Sequence, residues 1–168
     1  GVYAGSSLDT ADEFFEDMVS GGNWLLGVEV GMRLALFNVT ALAIPGDDSS
    51  NGLALLSSAG VSFPIVTDFA YLGFGAGLHT DFEFPETGES KVNGRLVSET
   101  DFTQVVNESP IHFRAAVDFL FGKANLGFAY YWESQADFTG LNSKGGWAKL
   151  FQPNGPAHLG VVLRLALF

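Results

Sequence analysis

Histidine and carboxylate residues at alternating positions are the side chains of this sequence whose types and spacing could do chemistry. His79 and Asp81 are two residues apart, and His112 lies near the start of a later apolar segment. Imidazole and carboxylate are common partners in acid–base catalysis and in metal binding. The sequence places no activated serine beside them, and the chain contains no cysteine. We therefore predict that the protein is not an enzyme and that it has neither a metal site nor a cofactor.

A larger set of charged and histidine residues follows the same alternating pattern along several segments. Its members are Glu29, Arg33, His79, Asp81, Glu83, His112, Arg114, Asp118, Glu133 and Arg164. Charges withdrawn from water must be paired with one another. If these residues share an enclosed space, we expect an ion-pair network that fills it.

The elements that carry these residues have the period of β-strands. Large apolar residues occupy every second position from Trp24 to Leu36, and Gly27, Glu29 and Arg33 lie between them. This period of two predicts strands with one apolar face. Eight such segments are present, at residues 1–6, 24–36, 38–45, 52–63, 69–84, 109–121, 125–133 and 158–168.

The connections between these segments alternate in length. The longer ones are residues 7–23, 46–51, 85–108 and 134–157, and the shorter ones are residue 37, 64–68 and 122–124. Most of the 19 acidic residues lie in the longer connections. An even strand number with alternating short turns and long loops is typical of outer-membrane barrels. We predict an all-β, antiparallel up-and-down transmembrane β-barrel that forms a single domain over residues 1–168.

Composition excludes two other classes. The net charge of −11 leaves no basic stripe that could neutralise a nucleic acid, so we predict no nucleic-acid partner. No apolar run reaches the roughly 18 to 20 residues of a membrane-spanning helix.

The composition of the smaller-residue face of each strand indicates which face meets lipid. Alternation alone also fits a soluble, lipocalin-like barrel with its large apolar residues turned inward. However, glycine and alanine at positions such as Gly73, Gly75 and Gly77 are poor choices for a solvent-exposed sheet. They suit the narrow interior of an eight-stranded barrel. We therefore predict that the large residues face lipid.

Aromatic residues near strand ends support this choice. They are Trp24, Phe82, Phe84, Tyr130 and Trp132. We predict that they lie at the lipid interface, where ring and polar tip meet apolar and polar surroundings. Under the alternative they line an apolar ligand pocket.

In pattern and topology the chain resembles the small outer-membrane proteins of the OmpA, OmpX and OmpW type. The final Phe168 is similar to the C-terminal aromatic of that group, although it is in phase with Arg164 rather than with the lipid-facing residues. The resemblance implies a location in the bacterial outer membrane and a lumen that acts either as structural filling or as a gated polar path for small ions. A second precedent of similar size is a PagP-like lipid-modifying enzyme.

The first long connection has a local signal of its own. Thr10-Ala11-Asp12-Glu13 is a capping-box pattern and is followed by apolar residues, so we predict a short amphipathic helix that packs on the barrel rim. The acidic connections could bind divalent cations or a basic partner.

The function predicted from the sequence is that of an outer-membrane barrel serving as structural anchor, surface-interaction protein or narrow, porin-like channel, and it could be one subunit of a larger envelope assembly. The alternatives are a soluble apolar-ligand carrier and a lipid-modifying enzyme.

Overall fold

The computed structural model describes residues 1–8, 24–46 and 51–166, in which eight strands form a closed barrel. These strands are β1 (Val2–Leu8), β2 (Leu25–Leu34), β3 (Phe37–Pro45), β4 (Gly52–Val66), β5 (Ala70–Glu83), β8 (Pro110–Phe121), β9 (Ala124–Asp137) and β10 (Ala157–Leu165). The helix predicted from Thr10, the acidic turn at 47–50 and the terminal Phe168 lie outside the described residues.

Every barrel strand pairs antiparallel with its neighbour in the chain. The barrel closes where β1 pairs with β10, with Val2 opposite Leu163, and β5 pairs directly with β8 across a long connection. The prediction of an all-β, antiparallel up-and-down barrel of eight strands is therefore confirmed.

The two described long connections carry short elements of their own. Between β5 and β8 lie the hairpin strands β6 (Lys91–Val92) and β7 (Arg95–Leu96) and helix α1 (Phe102–Glu108). Between β9 and β10 lie helices α2 (Phe138–Leu141) and α3 (Gly146–Lys149). Among the described residues, no helix is long and apolar enough to cross a membrane.

Some strand ends differ from those predicted. The first short turn is formed by Ala35, which has a φ of 53°, and Leu36, so Phe37 already belongs to β3. Strand β4 continues past Pro64, where the pairing with β5 shifts register. Alternation fixes which face a residue lies on, but it does not fix where the chain reverses.

Small residues on the inner face make room for large ones. The ring of Tyr3 is fully buried and lies against Gly5 and Gly160, where an added methyl group would collide with it. Tyr3 packs in a core with Leu42, Leu56, Ala116, Ala129, Tyr131 and Val162. The barrel interior is therefore packed with side chains rather than hollow at this level.

The outer face has the opposite composition. The outward positions of the eight strands, assigned from the pairing register, carry no charged side chain among the described residues. Exposed apolar residues on this face include Leu26, Val28, Val30, Met32, Leu34, Phe37, Val39, Phe63, Ile65, Phe74, Phe128, Leu163 and Leu165. A contiguous apolar surface that encircles a protein is far larger than the patches found on soluble monomers.

Candidate functional site

A buried glutamate is the centre of the charged group inside the barrel. Glu29 projects inward from β2 and has no exposed surface. Arg164 donates from Nε to Glu29 Oε1 over 2.6 Å, and the Tyr131 hydroxyl donates to Oε2 over 3.1 Å. Arg114 Nη2 lies 3.8 Å from the same Oε2, and its Nε donates to the Tyr131 hydroxyl oxygen over 3.1 Å.

Arg164 extends this group to a second carboxylate. Its Nη1 donates to Asp118 Oδ1 over 2.6 Å and to Asn125 Oδ1 over 3.2 Å. Gly127 lies beneath this pair, and a Cβ there would fall about where the two charged groups now meet. We call Glu29, Arg114, Asp118, Arg164 and Tyr131 the central cluster. Two carboxylates face two guanidinium groups in it, so its formal charge is balanced.

The central cluster lies next to the apolar core described above. The rings of Tyr3 and Tyr131 meet edge to face, with centroids 6.1 Å apart and planes at 79°. Both rings and the Glu29 side chain are almost completely inaccessible. At this level, side chains occupy the space that a pore would need.

A second group lies nearer to the long connections. His79 Nδ1 is 2.5 Å from Glu133 Oε2, and its Nε2 is 3.0 Å from Asp81 Oδ1. Asn154, in the connection before β10, donates to Glu133 Oε1 over 2.5 Å. We call His79, Asp81, Glu133 and Asn154 the rim cluster. It holds two carboxylates and one imidazole, and its side chains are partly exposed.

His112 lies between the two clusters. It is directly opposite Glu133 in the β8–β9 pairing, and its ring centroid is 6.0 Å from that of Tyr131. The side chain is only 1% exposed. The imidazole therefore separates the central cluster from the rim cluster instead of contacting solvent.

Two of the predicted lumen residues lie outside these clusters. Arg33 is exposed and stacks on the Tyr71 ring, with the guanidinium carbon 3.8 Å from the ring centroid. Residues 31–34 have β3 as their only strand neighbour among the described residues, because β1 meets β2 only as far as Glu29. Glu83 is also exposed and lies 3.6 Å from Lys91. The predicted single network is thus two clusters, with Arg33 and Glu83 outside both.

The predicted interface aromatics lie at the end of the barrel that bears the long connections. Phe82 and Phe84 stack with centroids 6.4 Å apart, and Tyr130 and Trp132 lie 5.8 Å apart. Trp24 is 40% exposed just before β2.

Sequence reasoning missed a second aromatic group at the opposite end. Phe69 contacts Phe119 and Phe121, and Phe119 contacts Phe128. The signal was present, because Phe119, Phe121 and Phe128 are in phase with the apolar face. It also missed Tyr3 and Tyr131, which stand out as large side chains in phase with glycine on the inner face.

The arrangement of the rim cluster offers little for catalysis or metal binding. Both ring nitrogens of His79 face carboxylates, which leaves neither nitrogen directed at a hydroxyl nucleophile. Nor do the described residues include a group of histidine and acidic side chains arranged to hold a metal ion.

The fold places the chain in a general class, that of closed antiparallel barrels of eight strands. This class contains both membrane-spanning proteins and soluble ligand carriers. Comparison of the chain with protein-family models, curated proteins and solved structures gives no match. Its function is therefore inferred from the surfaces of the barrel itself.

Proposed function

We propose that the chain is an integral barrel of the bacterial outer membrane, which anchors its long connections at the membrane surface for interaction with other envelope components. The observation that carries the proposal is the encircling outer face, from which charged side chains are absent in the described strands. In water such a surface would be strongly unfavourable, whereas in lipid it is what a barrel requires.

The two aromatic groups support the proposal that the barrel spans a membrane. Phe113, which stacks on Trp132, and Phe121, which contacts Phe69, lie on the same face of β8 near opposite ends of the barrel. At about 3.4 Å per residue and a tilt of about 40°, they are separated by about 20 Å along the barrel axis. This separation is close to the height of the apolar band between the aromatic girdles of outer-membrane barrels.

The packed lumen favours an anchor over a channel. The central cluster balances its charges, and Tyr3 and Tyr131 fill the space beside it. Ion flow would require these partners to separate inside the barrel, which is costly for buried charges. The surface available for partners then lies at the long connections, where acidic residues could also attract divalent cations.

The composition of the inner face argues against a soluble carrier. A carrier of apolar ligands needs an apolar cavity, and the interior here holds paired charges and packed tyrosines. The proposed role is also non-enzymatic, because both His79 nitrogens are engaged by carboxylates.

The first test compares two phenylalanine-to-arginine variants. Phe74 lies on the outer face of β5, opposite Ala115 and so between the levels of Phe113 and Phe121, and is 48% exposed, whereas Phe102 begins α1 in a long connection and is 82% exposed. An arginine at the bilayer midplane costs about 2–4 kcal/mol. We expect F74R to reduce insertion into lipid vesicles, measured by flotation and by heat-modifiable gel migration, and F102R to insert normally.

Other outcomes separate the alternatives. A chain that stays folded and monomeric without detergent and binds an apolar ligand in a one-to-one ratio is a carrier. Steady currents from the wild type in planar bilayers would identify a channel, and substitution of Arg114 should then change them. An acyl transfer that is abolished by a His79 or Asp81 substitution, with the barrel still folded, would identify an enzyme.

A further inference from the structure

The connection between β9 and β10 lies against the outer wall of the barrel. Ser134 is in phase with the outward Trp132, and its hydroxyl donates to the carbonyl oxygen of Lys149 over 3.2 Å. Phe151 stacks on Phe113, with centroids 6.0 Å apart and planes at 16°. Since Phe113 itself stacks on Trp132, the connection meets the wall at the level of the aromatic group.

Aromatic residues of this connection remain exposed. Trp147 in α3 is 67% exposed, Phe151 is 73% exposed and Phe138 in α2 is 45% exposed. A group of large exposed apolar side chains marks a contact surface for a protein or a membrane. They continue the apolar outer face of the barrel beyond the end of its wall.

The charge of this connection is opposite to that of the chain. Residues 138–152 contain Lys144 and Lys149 and no acidic residue, although the protein as a whole has a net charge of −11. Both lysines are exposed, and among the described residues no carboxylate lies within ion-pairing distance of either one. Their charges are therefore available to an anionic surface.

We propose that residues 138–152 form a collar that binds the anionic headgroups of the surrounding membrane leaflet. This inference rests on the proposed function and adds to it the class of lipid that the barrel selects. The aromatic side chains enter the interface, while Lys144 and Lys149 meet the phosphate groups. A lipid surface is favoured over a protein partner because the collar continues the lipid-facing wall and places two exposed lysines beside exposed aromatic residues.

The test uses a single label on the collar. The chain has no cysteine, so Ala148→Cys in α3 can carry one environment-sensitive fluorophore. The matched site is Val97→Cys, which is 48% exposed in the other long connection. The proteins are inserted into vesicles of phosphatidylcholine alone or of phosphatidylcholine with phosphatidylglycerol. We expect the Ala148 label to report apolar surroundings most strongly with phosphatidylglycerol, and the Val97 label to report water in both.

The lysines are tested on this labelled background. One lysine near an anionic surface raises the binding constant by about a factor of five. K144Q/K149Q should therefore lower the ratio of the lipid-bound, or seated, collar to the free collar about thirtyfold in phosphatidylglycerol vesicles. The charge-conserving K144R/K149R should retain seating. Lys123→Gln, which removes a cation in the short turn after β8, should have no effect on it.

The same experiment gives different results if the collar does not bind anionic lipid and if the protein is not a membrane protein. If the protein floats with vesicles but the Ala148 label reports water in both lipids, or K144Q/K149Q leaves seating unchanged, the collar does not bind anionic lipid. If the protein does not float, the membrane assignment itself fails.

Discussion

The central cluster and the rim cluster each contain one glutamate and one aspartate, but they differ in the cations that face them and in burial. In the central cluster, Glu29 and Asp118 face Arg114 and Arg164, and Glu29 is fully buried. In the rim cluster, a single imidazole faces two carboxylates, and each side chain is at least one fifth exposed. One cluster is sealed and balanced, whereas the other is open to water.

This difference assigns separate roles to the two clusters. Glu29 and Arg114 are almost completely buried, so water cannot replace a lost partner there, and the charges of the central cluster hold one another in place. Charges in the open cluster can be rehydrated when a partner is removed. The central cluster therefore fixes the barrel, and the rim cluster is the part that can change without loss of the fold.

The strongest test of the comparison is Glu29→Gln. The substitution preserves shape and removes one charge, which leaves Arg114 and Arg164 with Asp118 as their only carboxylate in the cluster. Breaking a buried pair in this way costs about 3–5 kcal/mol. We expect a loss of this size in the free energy of unfolding, measured by urea titration of the barrel in lipid vesicles.

Glu83→Gln is the matched control for that substitution. Glu83 is exposed and pairs with Lys91 over 3.6 Å, an arrangement worth about 0–1 kcal/mol. Equal losses from the two variants would show that burial does not separate the two kinds of site.

The fold was predictable from the sequence to a greater degree than the site was. Period-two alternation identified eight strands, and the same pattern placed Glu29 and Arg164 on the inner face. Alternation does not report how high along the barrel a residue lies, because that depends on the register between strands distant in sequence. Glu29 and Arg164, for example, meet only because β1 closes the barrel between β2 and β10.

Register also explains why Arg33 lies outside both clusters. Arg33 has the correct phase for the lumen, but β1 does not reach its level, so the side chain stacks on Tyr71 at an exposed position. The collar was missed for a different reason. Residues 138–152 have no hydrophobic period, and it is their contacts with Phe113 and Ser134 that show which side of the wall they occupy.

A smaller effect is expected from Tyr131→Phe. The Tyr131 hydroxyl accepts from Arg114 and donates to Glu29, so its removal weakens the link between them without leaving an unbalanced charge. Hydrogen bonds to charged groups contribute about 1.5–3 kcal/mol. We expect a loss of about 2 kcal/mol by the same urea titration. Tyr130→Phe, on the outer face of the same strand, should change the stability by less than about 0.5 kcal/mol, and a similar loss from both would mean that the buried hydroxyl has no special role.

The smallest effect is expected from His79→Gln in the rim cluster. The substitution removes the group between Asp81 and Glu133, and water can replace it because both carboxylates are partly exposed. Partly exposed ion pairs contribute about 1 kcal/mol or less, and salt screens them. We therefore expect a loss of about 1 kcal/mol that shrinks at high salt. We also expect faster amide exchange near Asn154, because its hydrogen bond to Glu133 depends on that carboxylate staying in place.

The loss from Glu29→Gln should remain unchanged at high salt, because buried charges are screened much less. A His79→Gln loss as large as that from Glu29→Gln, and equally insensitive to salt, would show that the rim is sealed and that both clusters hold the barrel together.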